Sequence, residues 1–241
     1  IVPPHLLPKM DFREDGIPAT ARTAVVVPTL LATVTSVREA LEHLEVQYLA
    51  NPDPNLRFVV LSDFTDAKTE TQVGDAYVIE AIERGTRSLN DKYRSSVNPG
   101  PFLVLHRARK WNATEGVWMG WERKRGKLAE FNRFLRGGSA SAFPTIAGDP
   151  ALLADIRYVI TLDSDTVLPR GAAAQLVGTM AHPLNRPEYD AALGRVTRGY
   201  GILQPRVGVA LTSAYRSKFA AVHSGHPGVD PYTTAVSDVY Q

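Results

Sequence analysis

An α/β fold, with a mostly parallel sheet flanked by helices, is the architecture this sequence predicts, and three observations predict it. Short β-branched runs, Thr23-Ala-Val-Val-Val-Pro28, Arg57-Phe-Val-Val-Leu-Ser62 and Pro101-Phe-Leu-Val-Leu-His106, alternate with segments of helical period. The runs are apolar almost throughout, as strands covered on both faces are. Polar residues follow their carboxyl ends, where open α/β sheets bind ligands. Right-handed crossovers between parallel strands bring all of those ends to one edge.

In chain order, residues 1–22 carry Pro3, Pro4, Pro8 and Pro18 among mixed charges and read as an extended arm or linker. A domain over residues 23–241 follows, one being the better expectation than two at this length. Residues 36–50 place Val37, Leu41, Leu44 and Tyr48 at helical spacing, with Ser36 as cap and Glu39 completing a capping box. Asn51-Pro-Asp-Pro54 ends that helix. A second helix is expected over residues 73–93, with Val78, Ile82 and Leu89 inward. Residues 110–125 break the alternation, with Trp111, Trp118 and Trp121 among Gly116, Gly120 and basic residues. Residues 127–136 read as a helix with Leu128, Phe131 and Leu135 inward, closed by Gly137-Gly138. Residues 139–155 read as loop, 158–162 as a buried strand and 172–182 as a helix. Residues 183–198 read as irregular, and 201–211 as a strand pair or bent strand, with Pro205 at an edge or bulge. A short helix is expected over 212–222.

Composition narrows the function. A formal net charge of +2 is too mild to argue for nucleic acid. The absence of cysteine excludes disulfide and thiolate–metal scaffolds. No apolar run approaches the roughly 18 residues of a membrane-spanning helix, and there is no signal-peptide pattern. The six histidines are scattered, and His106 alone, at a strand end, is well placed for a site.

The chemistry concentrates after the strand at 158–162. Asp163 and Asp165, two residues apart, fall on one side of an extended chain. Two such carboxylates repel unless a cation or shared proton relieves them, so a divalent cation with a phosphorylated ligand is expected there. An Asp-rich turn is the plainer alternative. Asp63 closes another strand and can accept from the N–H of a base, or serve only as a turn residue. Lys127, near a helix start, can neutralise a diphosphate together with the free N–H groups, or belong to a solvated basic face. The three tryptophans can stack on a sugar or fill a loop core. Asp163-Ser-Asp-Thr-Val-Leu168 also fits the Asp-x-Asp signature of haloacid-dehalogenase-type phosphatases, in which the first Asp is a nucleophile. That signature belongs near the start of its domain, and no downstream Asp-Asp pair follows here. Gly-x-Gly-x-x-Gly is missing, against a dinucleotide dehydrogenase.

Taken together, Val-Val-Val-Pro-Thr29, Leu-Ser-Asp63, Gly126-Lys-Leu-Ala-Glu-Phe-Asn132 and Leu-Asp-Ser-Asp165 resemble the ordered motifs of inverting GT-A glycosyltransferases, the cellulose- and chitin-synthase-like enzymes. Longer stretches, Tyr48 to Phe58, Glu115 to Asn132, Gly178 to Asn185 and Gly201 to Arg206, resemble the glycosyltransferase domain of cyclic β-1,2-glucan synthases. The resemblance runs from about Arg22 to Gln241. It implies a GT-A (nucleotide-diphospho-sugar transferase) fold, UDP-glucose as donor, a growing β-1,2-glucan as acceptor, and magnesium or manganese. By motif it assigns Pro28 and Thr29 to the uridine pocket, Asp63 to uracil and Lys127 to the diphosphate, with Asn132 closing that helix motif. Asp163 would face the ribose and diphosphate, Asp165 would hold the metal, and Gln204 and Arg206 would lie on the acceptor side. Ala129 stands where the wider superfamily has Gly. Inversion needs a carboxylate base, which the family places beyond the point matching Gln241; Asp190, Asp230 and Asp238 have no motif support for it. With Ile1 first and no winding-down at Gln241, the chain is expected to be part of a larger membrane-bound synthase at the cytoplasmic face of a bacterial inner membrane. Such a part would bind nucleotide and metal but turn over poorly alone, or serve as a nucleotide-sugar-binding module.

Overall fold

The structure, a computed structural model, describes residues 6–95 and 99–205. The expectations placed on residues 206–222, Arg206 included, and on Asp230 and Asp238 lie outside the described residues. The chain divides into two compact units, Ile1–Arg186 and Pro187–Gln241.

The first unit contains β1 (Thr23–Leu30), α1 (Val34–Ala50), β2 (Leu56–Asp63), α2 (Asp75–Tyr93) and β3 (Phe102–Arg107). There follow a hairpin of β4 (Lys110–Asn112) and β5 (Val117–Met119), then α3 (Arg123–Leu135), β6 (Thr145–Ala147), β7 (Tyr158–Thr161) and α4 (Ala172–Ala181). Five strands form one sheet in the order β6-β3-β2-β1-β7, all parallel except β6. Side chains alternate across it. Val25, Val27, Phe58, Val60, Phe102 and Val104 pack with Leu41 and Leu44 of α1, Ile82 of α2 and Val177 of α4. Ala24, Val26, Val59, Leu61, Leu103 and Leu105 face the other way, onto Phe131 of α3 and Phe143. Burying each of the larger side chains stabilises by about 1.5–3 kcal/mol, so this two-sided core fixes where the strand ends lie.

Several local expectations are corrected. The cap of α1 is Thr33, whose extended backbone lets its hydroxyl accept from Ser36 N, while Ser36 answers from the third helical position. The box therefore lies one turn earlier than Ser36 and Glu39 suggest. α3 starts at Arg123 rather than at residue 127, because Glu122 and Arg123 take left-handed backbone that no glycine announces (φ 51° and 47°). β7 is not buried: its exposure alternates, with Val159 36% exposed, because among the described residues it pairs with β1 alone. β6, inside the stretch read as loop, joins the sheet through only three residues, too few to show a period.

Residues ahead of β1 lie along this body. Met10 N donates to the Gly178 carbonyl at 3.0 Å, Asn185 donates to the Pro8 carbonyl, and Ile17 is buried. The second unit holds β8 (Glu188–Asp190) and β9 (Arg195–Arg198), an exposed antiparallel hairpin where irregular chain was expected. No helix among the described residues is long and apolar enough to cross a membrane.

Candidate nucleotide-diphosphate site

Parallel register carries the carboxyl ends of β1, β2 and β3 to a common level: Leu30 lies beside Asp63, and Asp63 beside Arg107. Asp63 is 1% exposed, and both of its oxygens are engaged. Arg107 Nε donates to Oδ1 at 2.6 Å and Nη2 to Oδ2 at 2.9 Å, a two-pronged pair. Lys127, reaching in from α3, places Nζ 2.9 Å from Asp63 Oδ2 and donates to the Thr29 carbonyl at 2.6 Å. Arg107 Nη1 also donates to Glu130 Oε2 at 2.6 Å. Two acids and two bases thus balance where an unpaired charge would be costly. Burial pushes the Lys127 ammonium below its ordinary pKa, against the pull of Asp63. Backbone packing closes the cluster: a Cβ on Gly120 would lie 2.4 Å from the Asp63 carboxyl carbon.

Asp163 and Asp165 stand exposed in the turn after β7, closed by Thr166 N donating to the Asp163 carbonyl at 3.0 Å. Lys124, one turn before Lys127, forms an ion pair with Asp163. α3 therefore links the Asp63 cluster to the acidic turn. That turn is held from beneath by α1. Gln47, fully buried, donates to the Thr166 carbonyl and accepts from Leu168 N, both at 2.8 Å. Asn51, one helical turn on, donates to the Leu168 carbonyl at 3.4 Å and accepts from Ala173 N at 3.0 Å.

Of the residues singled out by sequence, Thr29, Asp63, Lys127 and Asp163 are drawn into this linked arrangement, with Asp165 beside Asp163 and Pro28 buried in β1 next to Thr29. Lys127 turns inward onto Asp63, and Lys124 is the more exposed cation of that helix turn. Asn132 is exposed and makes no hydrogen bond to the cluster among the described residues. Gln204 is exposed in the second unit. Sequence reasoning missed Arg107, Glu130, Lys124, Gln47 and Asn51. One signal was available: Arg107 follows a predicted strand at the height where Asp63 follows its neighbour.

The acidic turn suits a small hard cation. Asp163 and Asp165 offer oxygen donors, and no group of three or more His, Cys, Asp or Glu gathers anywhere among the described residues. The protein would supply one or two carboxylates and leave the remaining positions to ligand oxygens, as magnesium is commonly held.

The mostly parallel five-stranded sheet with helices on both faces defines the class, a Rossmann-like α/β fold of the kind glycosyltransferases use. No family model matches the chain. The cyclic beta-(1,2)-glucan synthase NdvB of Rhizobium meliloti (strain 1021) is 46% identical to it over 228 residues. The match takes in 94% of this chain and spans 8% of NdvB. The chain is thus a homologue of one segment of a cyclic β-(1,2)-glucan synthase, the resemblance its motifs indicate.

Proposed function

We propose that the chain is the nucleotide-sugar-binding core of an inverting glucosyltransferase, which uses UDP-glucose to extend a β-1,2-glucan within a larger membrane-bound synthase at the cytoplasmic face of a bacterial inner membrane. The observation that carries this is the convergence of Thr29, Asp63, Lys127, Lys124 and Asp163 on one sheet edge, in a chain 46% identical to a glucan synthase. The same kinship favours it over the phosphatase reading of the acidic pair. The Pro28-Thr29 backbone, with Asp63 buried behind it, is assigned to the uridine, and Lys124, with Lys127 buried behind it on Asp63, to the diphosphate. Positive groups fixed there stabilise the charge that grows on UDP as the sugar bond breaks. Magnesium or manganese at Asp163 and Asp165 would add positive charge at the phosphate oxygens. Gln204 and Arg206 are assigned to the acceptor side. The carboxylate base that deprotonates the acceptor hydroxyl is assigned to a part of the synthase beyond the point matching Gln241. Calorimetric titration of UDP with and without manganese tests the reading. Binding should require the metal and be lost in Asp165→Ala; metal-independent binding, or an unaffected Asp165→Ala, would overturn it.

A further inference from the structure

We infer that Arg107 is the positioning residue of this site: its guanidinium locks the turn at residues 121–123, where α3 begins, onto Asp63, so that base-side and phosphate-side groups move as one body. The inference rests on the nucleotide-diphosphate reading and adds a residue that no motif marks. All five N–H groups of Arg107 have partners. Three go to the Asp63 and Glu130 carboxylates; the other two go to backbone, Nη1 to the Trp121 carbonyl at 3.0 Å and Nη2 to the Arg123 carbonyl at 3.1 Å.

Those two carbonyls bracket the consecutive left-handed residues Glu122 and Arg123. Side chains disfavour that backbone, so the turn needs support from outside. Arg107 supplies it from the sheet side. On the helix side Gly126 makes room, since a Cβ there would lie 1.9 Å from the Trp121 carbonyl oxygen. The turn in turn aims Lys124 at Asp163 and Lys127 at Asp63 and Thr29. A lysine at 107 would keep the charge but has three donors and no planar fork, too few for two carboxylates and two carbonyls.

The test uses the whole chain and the affinities of UDP and uridine, both with manganese. Arg107→Lys should weaken UDP by roughly tenfold or more, the cost of a lost charged hydrogen bond or two. Glu122→Gly, at an exposed position where glycine removes the backbone strain, should bind UDP as wild type does. Combined with Arg107→Lys it should recover part of the loss, a rescue that a purely structural or charge-balancing role does not produce. Gly126→Ala attacks the same turn with the Asp63–Arg107 pair untouched. It should weaken UDP more than uridine, which keeps the inference testable if Arg107→Lys does not fold. Hydrogen exchange at residues 121–127 reads the clamp without ligand, and should quicken in both clamp variants. Wild-type affinity in Arg107→Lys or Gly126→Ala, an absent rescue, or unchanged exchange would each overturn the inference. Failure of UDP to bind the wild type, with exchange quickened as expected, would count against the site reading alone.

Discussion

His106 should make this protein acid-sensitive, and the size of the effect follows from its surroundings. The ring sits in β3 opposite Ser62, 1% exposed, with Nδ1 2.9 Å from Ser62 Oγ and the ring of Phe64 edge-on at 4.2 Å. Its Nε2 has no hydrogen-bond partner among the described residues. Protonation would strand a cation there, and burial pushes the pKa from 6.5 down to about 4. Asp63 and Asp75 pull it up while Lys127 and Arg109 push it down, so the nearby charges offset one another and desolvation decides. The unfolded chain takes up the proton first as pH falls. The stability that a neutral His106 contributes is therefore complete above about 6.5 and drains away between there and about 4, by about 3 kcal/mol. Carboxylates titrate in part of the same window, so the comparison must be internal. Urea unfolding at steps between about pH 7 and pH 4 should show wild type losing about 3 kcal/mol more stability over that range than His106→Asn loses. Parallel profiles would refute the reasoning, since the proton would then be taken up equally well in the folded protein.

Two further substitutions probe the site's supports. Gly120→Ala drives a methyl group into the Asp63 carboxyl and should destabilise by about 1–3 kcal/mol in chemical denaturation, while weakening UDP in the same preparation. Gln47→Leu keeps the volume on α1 but abandons the Thr166 carbonyl and the Leu168 N–H; about 2–5 kcal/mol should be lost, and manganese affinity should fall although neither aspartate is touched.

The central strands could be read from sequence because their environment imposes a single demand. β2 and β3 are covered on both faces, Phe58, Val60, Phe102 and Val104 packing to one side and Val59, Leu61, Leu103 and Leu105 to the other, so an unbroken apolar run was the only pattern open to them. β7 carried the same kind of run, yet its exposure alternates and among the described residues it pairs with β1 alone, and composition did not reveal which strands would flank it. The lead-in to α3 was misplaced for another reason: its left-handed residues are Glu and Arg, held by a buried guanidinium from a different strand. In the site, residues followed by a motif stood out, as Asp63, Lys127, Asp163 and Asp165 did. Residues whose work lies in holding others did not. Arg107 looks like an ordinary strand-end cation until register places it beside Asp63, and Gln47 and Asn51 look like polar interruptions of an amphipathic helix until the acidic turn is seen resting on them.

That last arrangement means the acidic turn is not a portable cassette. Its shape is written partly at positions more than a hundred residues upstream, on one side of a helix. Grafting residues 158–170 onto another parallel sheet would transfer both carboxylates and leave behind the groups that aim them. An engineer moving this chemistry between scaffolds would have to carry Gln47 and Asn51 along, and a search for distant homologues would gain by asking for an amide pair one helical turn apart as well as for the two aspartates.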